Sequence, residues 1–116
     1  MSYKLTCSSA EDYVSIRVDG AWPAERSEDI IVGMHNLWAK HHKRGLLIDI
    51  RNMEDTPSVF SDYENAARFA EADFQRVRRI AVLDDLNRQA ANQFFESTAA
   101  NRGLRFRFFK GLLSNM

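Results

Sequence analysis

Residues 46–60, LLIDIRNMEDTPSVF, decide how the rest of the chain is read. Leu46 to Ile50 is a near-continuous apolar run, bounded by Gly45 and a charged turn, which is the pattern of a central strand. After the turn come Thr56, Pro57 and Ser58, suited in order to an N-cap, a first helical residue and an exposed second one. A helix is therefore expected from about Pro57, with Phe60, Tyr63, Ala66, Ala67, Ala70 and Phe74 along one side. Strand, acidic turn and helix in this order make the first half of a parallel crossover.

Working outward, YKLTC and YVSIRVDG are β-prone runs separated by the polar turn SSAED, as in an antiparallel hairpin. Val14, Ile16 and Val18 alternate with Ser15, Arg17 and Asp19, so one face is buried and the other wetter. Gly20 ends the second run. Pro23 then opens an amphipathic helix in which Ile30, Ile31, Met34, Leu37, Trp38 and His41 recur at helical spacing. Acidic residues near its start, the KHHKR cluster at its end and Gly45 as a left-handed stop agree with the helix dipole and with C-terminal capping. Downstream, RIAVL is a further interior strand, a third helix spans about 87–101 with Gly103 beyond it, and LRFRFF closes the pattern as an alternating strand. The order β-β-α-β-α-β-α-β predicts one α/β domain: a mixed, mostly parallel sheet of four or five strands.

The 116 residues suffice for a single core without metal or disulfide staples, and Cys7 is the only cysteine. Lys+Arg and Asp+Glu both number 16, so no global charge draws the chain toward nucleic acid, and no nucleic-acid partner is expected. No apolar run is long enough to cross a bilayer and the N-terminus lacks a signal-peptide core, so the expected location is cytoplasmic. P-loop, dinucleotide-loop and nucleophile-elbow patterns are missing from the sequence, and no cofactor is expected.

Ligands of open α/β sheets gather at the carboxyl ends of the strands, where helix N-termini converge. That rule brings Trp22, Asp49, Arg51, Glu54, Asp55, Thr56, Ser58, Asp84 and Asp85 to one rim. Ser58 and Thr56 are candidate phosphoacceptors, because a phosphate there would meet the free helix N–H groups with Arg51 close by. Asp49, Asp84 and Asp85 would hold Mg²⁺ if their carboxylates converged. Against this, Asp49 and Arg51 stand two apart on a strand and can simply pair. His35 and His42 are too far apart to share an ion. The clusters KHHKR, RVRR and RFRFFK have the composition of an anion-binding patch, although charge at element ends is usually solvated. Phe60, Tyr63, Trp38 and Phe74 would line a small-ligand or lipid crevice beneath the second helix, and the same spacing also describes plain core.

With these elements in place, LLIDIRNMEDTP, RRIAVLDD and FFESTAANRGLRFRFF resemble the SpoIIAA-like group, which shares the STAS fold of anti-sigma-factor antagonists. The resemblance implies helices packed mainly on one side of the sheet and a non-enzymatic regulatory module with a protein partner, able to act as a homodimer. The architecture is also found in lipid-binding CRAL-TRIO domains. In the antagonists a regulatory serine begins the helix after the central strand, and Ser58 is its nearest counterpart here. This chain departs from their Asp-Ser-Ser-Gly type of turn, carrying Glu54, Asp55 and Pro57 instead. Its ending, KGLLSNM, also provides at most a turn or two where similar proteins close with a further helix.

Overall fold

A computed structural model describes residues 3–53, 63–84 and 89–110. The strands are β1 (Tyr3–Ser9), β2 (Tyr13–Gly20), β3 (Gly45–Asp49), β4 (Arg79–Asp84) and β5 (Phe106–Lys110), and the helices α1 (Ser27–Ala39), α2 (Tyr63–Glu71) and α3 (Gln89–Ala100). Single turns of 3-10 helix precede α1 (Ala24–Arg26) and β4 (Phe74–Arg76). The five strands lie in sequence order, β1 antiparallel to β2 and every later pair parallel. Each parallel connection moves one strand in the same direction, so right-handed crossovers place all three helices on one face.

Register makes that face continuous. Val14, Leu46, Ile80 and Phe106 form one row across β2 to β5, and Ile16, Ile48, Val82 and Phe108 form the next. Ile30, Ile31, Met34 and Trp38 of α1, Ala66 and Phe69 of α2, and Phe95 and Ala99 of α3 close over these rows in one core. Phe69 is its hub, with ring centroids 4.8 Å from Phe74, 5.0 Å from Phe106 and 6.1 Å from Phe95, all near edge-to-face. Alternate residues point to the opposite face, where Tyr13, Arg17, Arg79, Arg105, Arg107 and Phe109 are exposed. The outer edge of β5 is partly occupied by a side chain: Glu96 of α3 accepts the Phe108 N–H at 2.9 Å and lies 3.8 Å from Arg107.

The hairpin, the strand order and the alternation agree with the sequence reading, whereas several element ends do not. Helix α1 stops at Ala39, and the left-handed residue after it is His42 (φ 53°), not Gly45. Gly45 instead begins β3 between two strands, where a Cβ would sit 3.2 Å from the Cβ of Tyr13. Pro23 is not helical either, and its carbonyl accepts the Arg26 N–H that closes the 3-10 turn. Helix α2 ends at Glu71, and Asp73 (φ 68°) reverses the chain so that Phe74 reaches the core from a separate turn. Gly103 past α3 has φ +80°, as its expected role in ending that helix requires.

Candidate functional site

The carboxyl rim is shaped first by the strand ends. Gly20, at the end of β2, takes φ 88° and bridges to Met53, tying the β2–α1 loop to the turn after β3. Asp49, the last residue of β3, points to the helix-free face, on the side of Leu47 and away from Ile48. Arg51 grips it with a fork: Nε donates to Oδ1 and a terminal guanidinium nitrogen to Oδ2, both at 2.9 Å, while the Arg51 N–H reaches Oδ1 at 3.1 Å. The pairing expected from their spacing is therefore present. Burial would raise the Asp49 pKa, but the side-chain and backbone hydrogen bonds from Arg51, with the charges of Arg51 and Arg17, outweigh it and hold the carboxyl below its ordinary range. This carboxylate stays ionised with its oxygens engaged, a poor general base.

Asp84 closes β4 with the alternation of Ile80 and Val82, so it leaves the sheet on the helix side and is buried. Since Asp49 pairs in register with Leu83, the two aspartates leave opposite faces of the sheet. That geometry overturns a shared Mg²⁺ site on them, and among the described residues no group of three metal-ligating side chains converges. Asp85, Glu54, Asp55, Thr56 and Ser58 lie outside the described residues, as does the expected helix start at Pro57.

Trp22 corrects the sequence reading most plainly. It was expected on the rim, yet it is only 4% exposed and belongs to the core. Its Nε1–H donates to Ser27 Oγ (3.0 Å), the Ser27 hydroxyl donates to Asn65 Oδ1 (2.8 Å), and Arg68 donates to the same oxygen at 2.6 Å. Ser27 and Asn65 are themselves buried. A buried indole needs an acceptor, and this chain of bonds supplies one while fastening α2 to the start of α1. The sequence offered one signal, a polar Asn65 beside the apolar stripe of α2. Asn65→Ala is expected to cost about 2 kcal/mol, the penalty of leaving the buried Ser27 hydroxyl without its acceptor. Thermal unfolding checks it: Ser27→Ala/Asn65→Ala should lose less than the sum of the single changes.

Of the residues expected to line a ligand crevice, Phe60, Tyr63, Trp38 and Phe74, the side chains of Trp38 and Phe74 are the ones described. Trp38 and Phe74 are buried core, with His35 between them at ring distances of 5.5 Å to each. Phe60 lies outside the described residues. Of the other histidines, His41 places Nε2 3.7 Å from the sulfur of Cys7. No described helix is long and apolar enough to cross a membrane.

No protein-family model matches the chain, and no curated protein matches it. Solved structures do. An anti-sigma factor antagonist from Mycobacterium paratuberculosis superposes with a TM-score of 0.58 at 13% identity, over 90% of this chain and 85% of that one. A protein with a SpoIIAA-like fold from Shewanella loihica PV-4 gives a TM-score of 0.56 at 16% identity, over 92% and 85% of the two chains. At these identities the likeness is one of architecture. The chain has a SpoIIAA-like fold, as its sequence implied, and it spans most of both neighbours.

Proposed function

We propose that the chain is a non-enzymatic regulatory module that binds a protein partner through its carboxyl rim. The observation that carries this reading is the fold shared, over nine-tenths of the chain, with an anti-sigma factor antagonist. The rim chemistry supports it: Asp49 and Arg51 neutralise each other in a fixed fork, and Asp84 faces away from them. Such a surface offers shape and paired charge more than acid–base chemistry. Ser58, seven residues after Arg51 in the sequence, is the position at which the sequence reading expects a phosphate to act as a switch by adding charge.

The test is capture from the native cell with wild type and Ser58→Asp, read by mass spectrometry. A partner held by wild type and lost by Ser58→Asp is the expected result. Identical partners would remove Ser58 as the switch, and recovery of no partner by either form would sink the module reading itself. Light scattering of the purified protein decides whether that partner is a second copy.

A further inference from the structure

The end of the sheet opposite the carboxyl rim carries a different charge. All three helix-to-strand loops deliver arginines there, at the amino ends of β3, β4 and β5. The Arg78 N–H donates to the Arg44 carbonyl (2.8 Å), Arg79 pairs in register with Gly45, and the Ile80 N–H donates to the Arg105 carbonyl (2.9 Å). The backbones of Arg44, Arg78, Arg79 and Arg105 are thus neighbours across adjacent strands, although the residues are far apart in sequence. With Arg76 these side chains are exposed, and among the described residues none of the five takes part in an ion pair. Lys40 is exposed nearby, and Lys43 donates to the Glu11 carbonyl at the border of the patch. Glu11 and Asp12 on the hairpin turn, Glu71 at the end of α2 and Asp73 after it flank the patch without breaking the run from Arg44 to Arg105.

One aromatic side chain stands in the same row. Tyr13, the first residue of β2, is 42% exposed on the helix-free face and pairs with Gly45, which pairs in turn with Arg79. Gly45 adds no side chain between them, so the tyrosine ring borders a flat strip of backbone that ends in arginines. From β2 to β5 the row crosses three inter-strand spacings, about 14 Å.

From this juxtaposition we infer that the amino-end row of Tyr13, Arg79 and Arg105 on the helix-free face, with Arg44 and Arg78 alternating to the other side of the same sheet end, binds single-stranded nucleic acid. Guanidinium forks hold phosphates in a bidentate way that lysines do not. An exposed aromatic ring beside a cationic track is the pairing that single strands use, one base stacking while the backbone follows the charge. An acidic peptide would satisfy the arginines and leave Tyr13 without a role. The expectation that no nucleic acid binds came from a net charge of +0, which sums over the whole chain. The fold gathers these arginines at one end of the strands, while at the other end Asp19 and Asp49 are paired with Arg17 and Arg51.

Fluorescence anisotropy with labelled oligouridylate and oligothymidylate is the test. With about four phosphates engaged, wild-type affinity should fall about 50-fold between about 50 and 200 mM salt, from a logarithmic slope of roughly −0.7 per phosphate on single strands. The Arg79→Gln/Arg105→Gln protein should bind more weakly and show a slope shallower by about 1.4. Tyr13→Ala should lose about tenfold with its slope unchanged, and Tyr13→Phe should bind as wild type. All these positions are exposed, so circular dichroism should report intact folding. Absence of binding at about 50 mM salt, or full affinity in the arginine variant, overturns the proposal. Oligoglutamate binding as tightly as oligouridylate, with no effect of Tyr13→Ala on either, would make the row a dock for acidic protein and overturn it as well.

Discussion

Phe69→Ala is expected to remove about 4 kcal/mol of folding stability, the range for a buried phenylalanine lost from a core. Phe69 is fully buried, and its ring meets Phe74, Phe106 and Phe95 edge-on, joining α2 to β5, to α3 and to the turn before β4. Deleting it leaves a cavity bordered by three rigid rings, which collapse into the space less readily than aliphatic chains. A domain of this size has about 5–15 kcal/mol in total, so the variant should stay folded with little margin. Urea unfolding with an unchanged slope and a much lower midpoint is the predicted result. A loss below about 1 kcal/mol would mean that α2 is held by something other than this cluster. Phe69→Leu, which fills most of the volume, should lose well under half as much.

Arg51→Met should have the next largest effect. At neutral pH it leaves Asp49, 9% exposed, ionised without its fork of donors. Breaking a fully buried pair costs about 3–5 kcal/mol. Here about 2 kcal/mol is expected, because the Arg51 side chain is still 28% exposed and water recovers part of the loss. The pH dependence has a definite sign. In the wild type the folded pKa of Asp49 lies below its unfolded value, so the pair stabilises the fold above that unfolded value and the contribution fades as pH falls through the folded one. The gap between wild type and Arg51→Met should therefore narrow in acid. Asp49→Asn/Arg51→Met should recover part of the loss at neutral pH, since it removes the stranded charge. A gap that persists unchanged at low pH would show that Arg51 acts through packing and not through the carboxylate.

Much of this molecule could be read from the chain because local patterns carried it. Val14, Ile16 and Val18 alternate with polar residues, so β2 declared its buried face. Asp49 and Arg51 sit two apart, so their pairing is legible from spacing, although it is made by the turn after β3 and not by the pleat. What was missed depended on residues far away in sequence. Trp22 looked like a rim aromatic because its acceptors, Ser27 and through it Asn65, exist only once α2 packs beside α1. Asp49 and Asp84 looked like a pair of carboxylates because both end adjacent strands. The register that sets Asp49 against Leu83 sends them to opposite faces, and a single residue of slip would reverse that outcome. Phe69 does not stand out locally because the helical spacing of apolar residues runs on to Phe74, which the left-handed turn at Asp73 moves out of the helix. The gathering of arginines at the amino end of the sheet is invisible to a count that comes to zero.

The side chain of Glu96 has a bearing on how large any assembly of this protein can grow. By taking the Phe108 N–H, it removes one of the donors through which a foreign strand would add to β5. On the far side, β1 is paired to β2 without a bulge from Tyr3 to Ser9 and contains no proline. A sheet hindered on one margin and, among the described residues, open on the other adds strands less readily than one open on both. Two such margins brought together antiparallel around a twofold axis would satisfy each other and stop at a pair of chains, where two open margins would build a fibre. One carboxylate thus disfavours growth beyond two copies by strand addition.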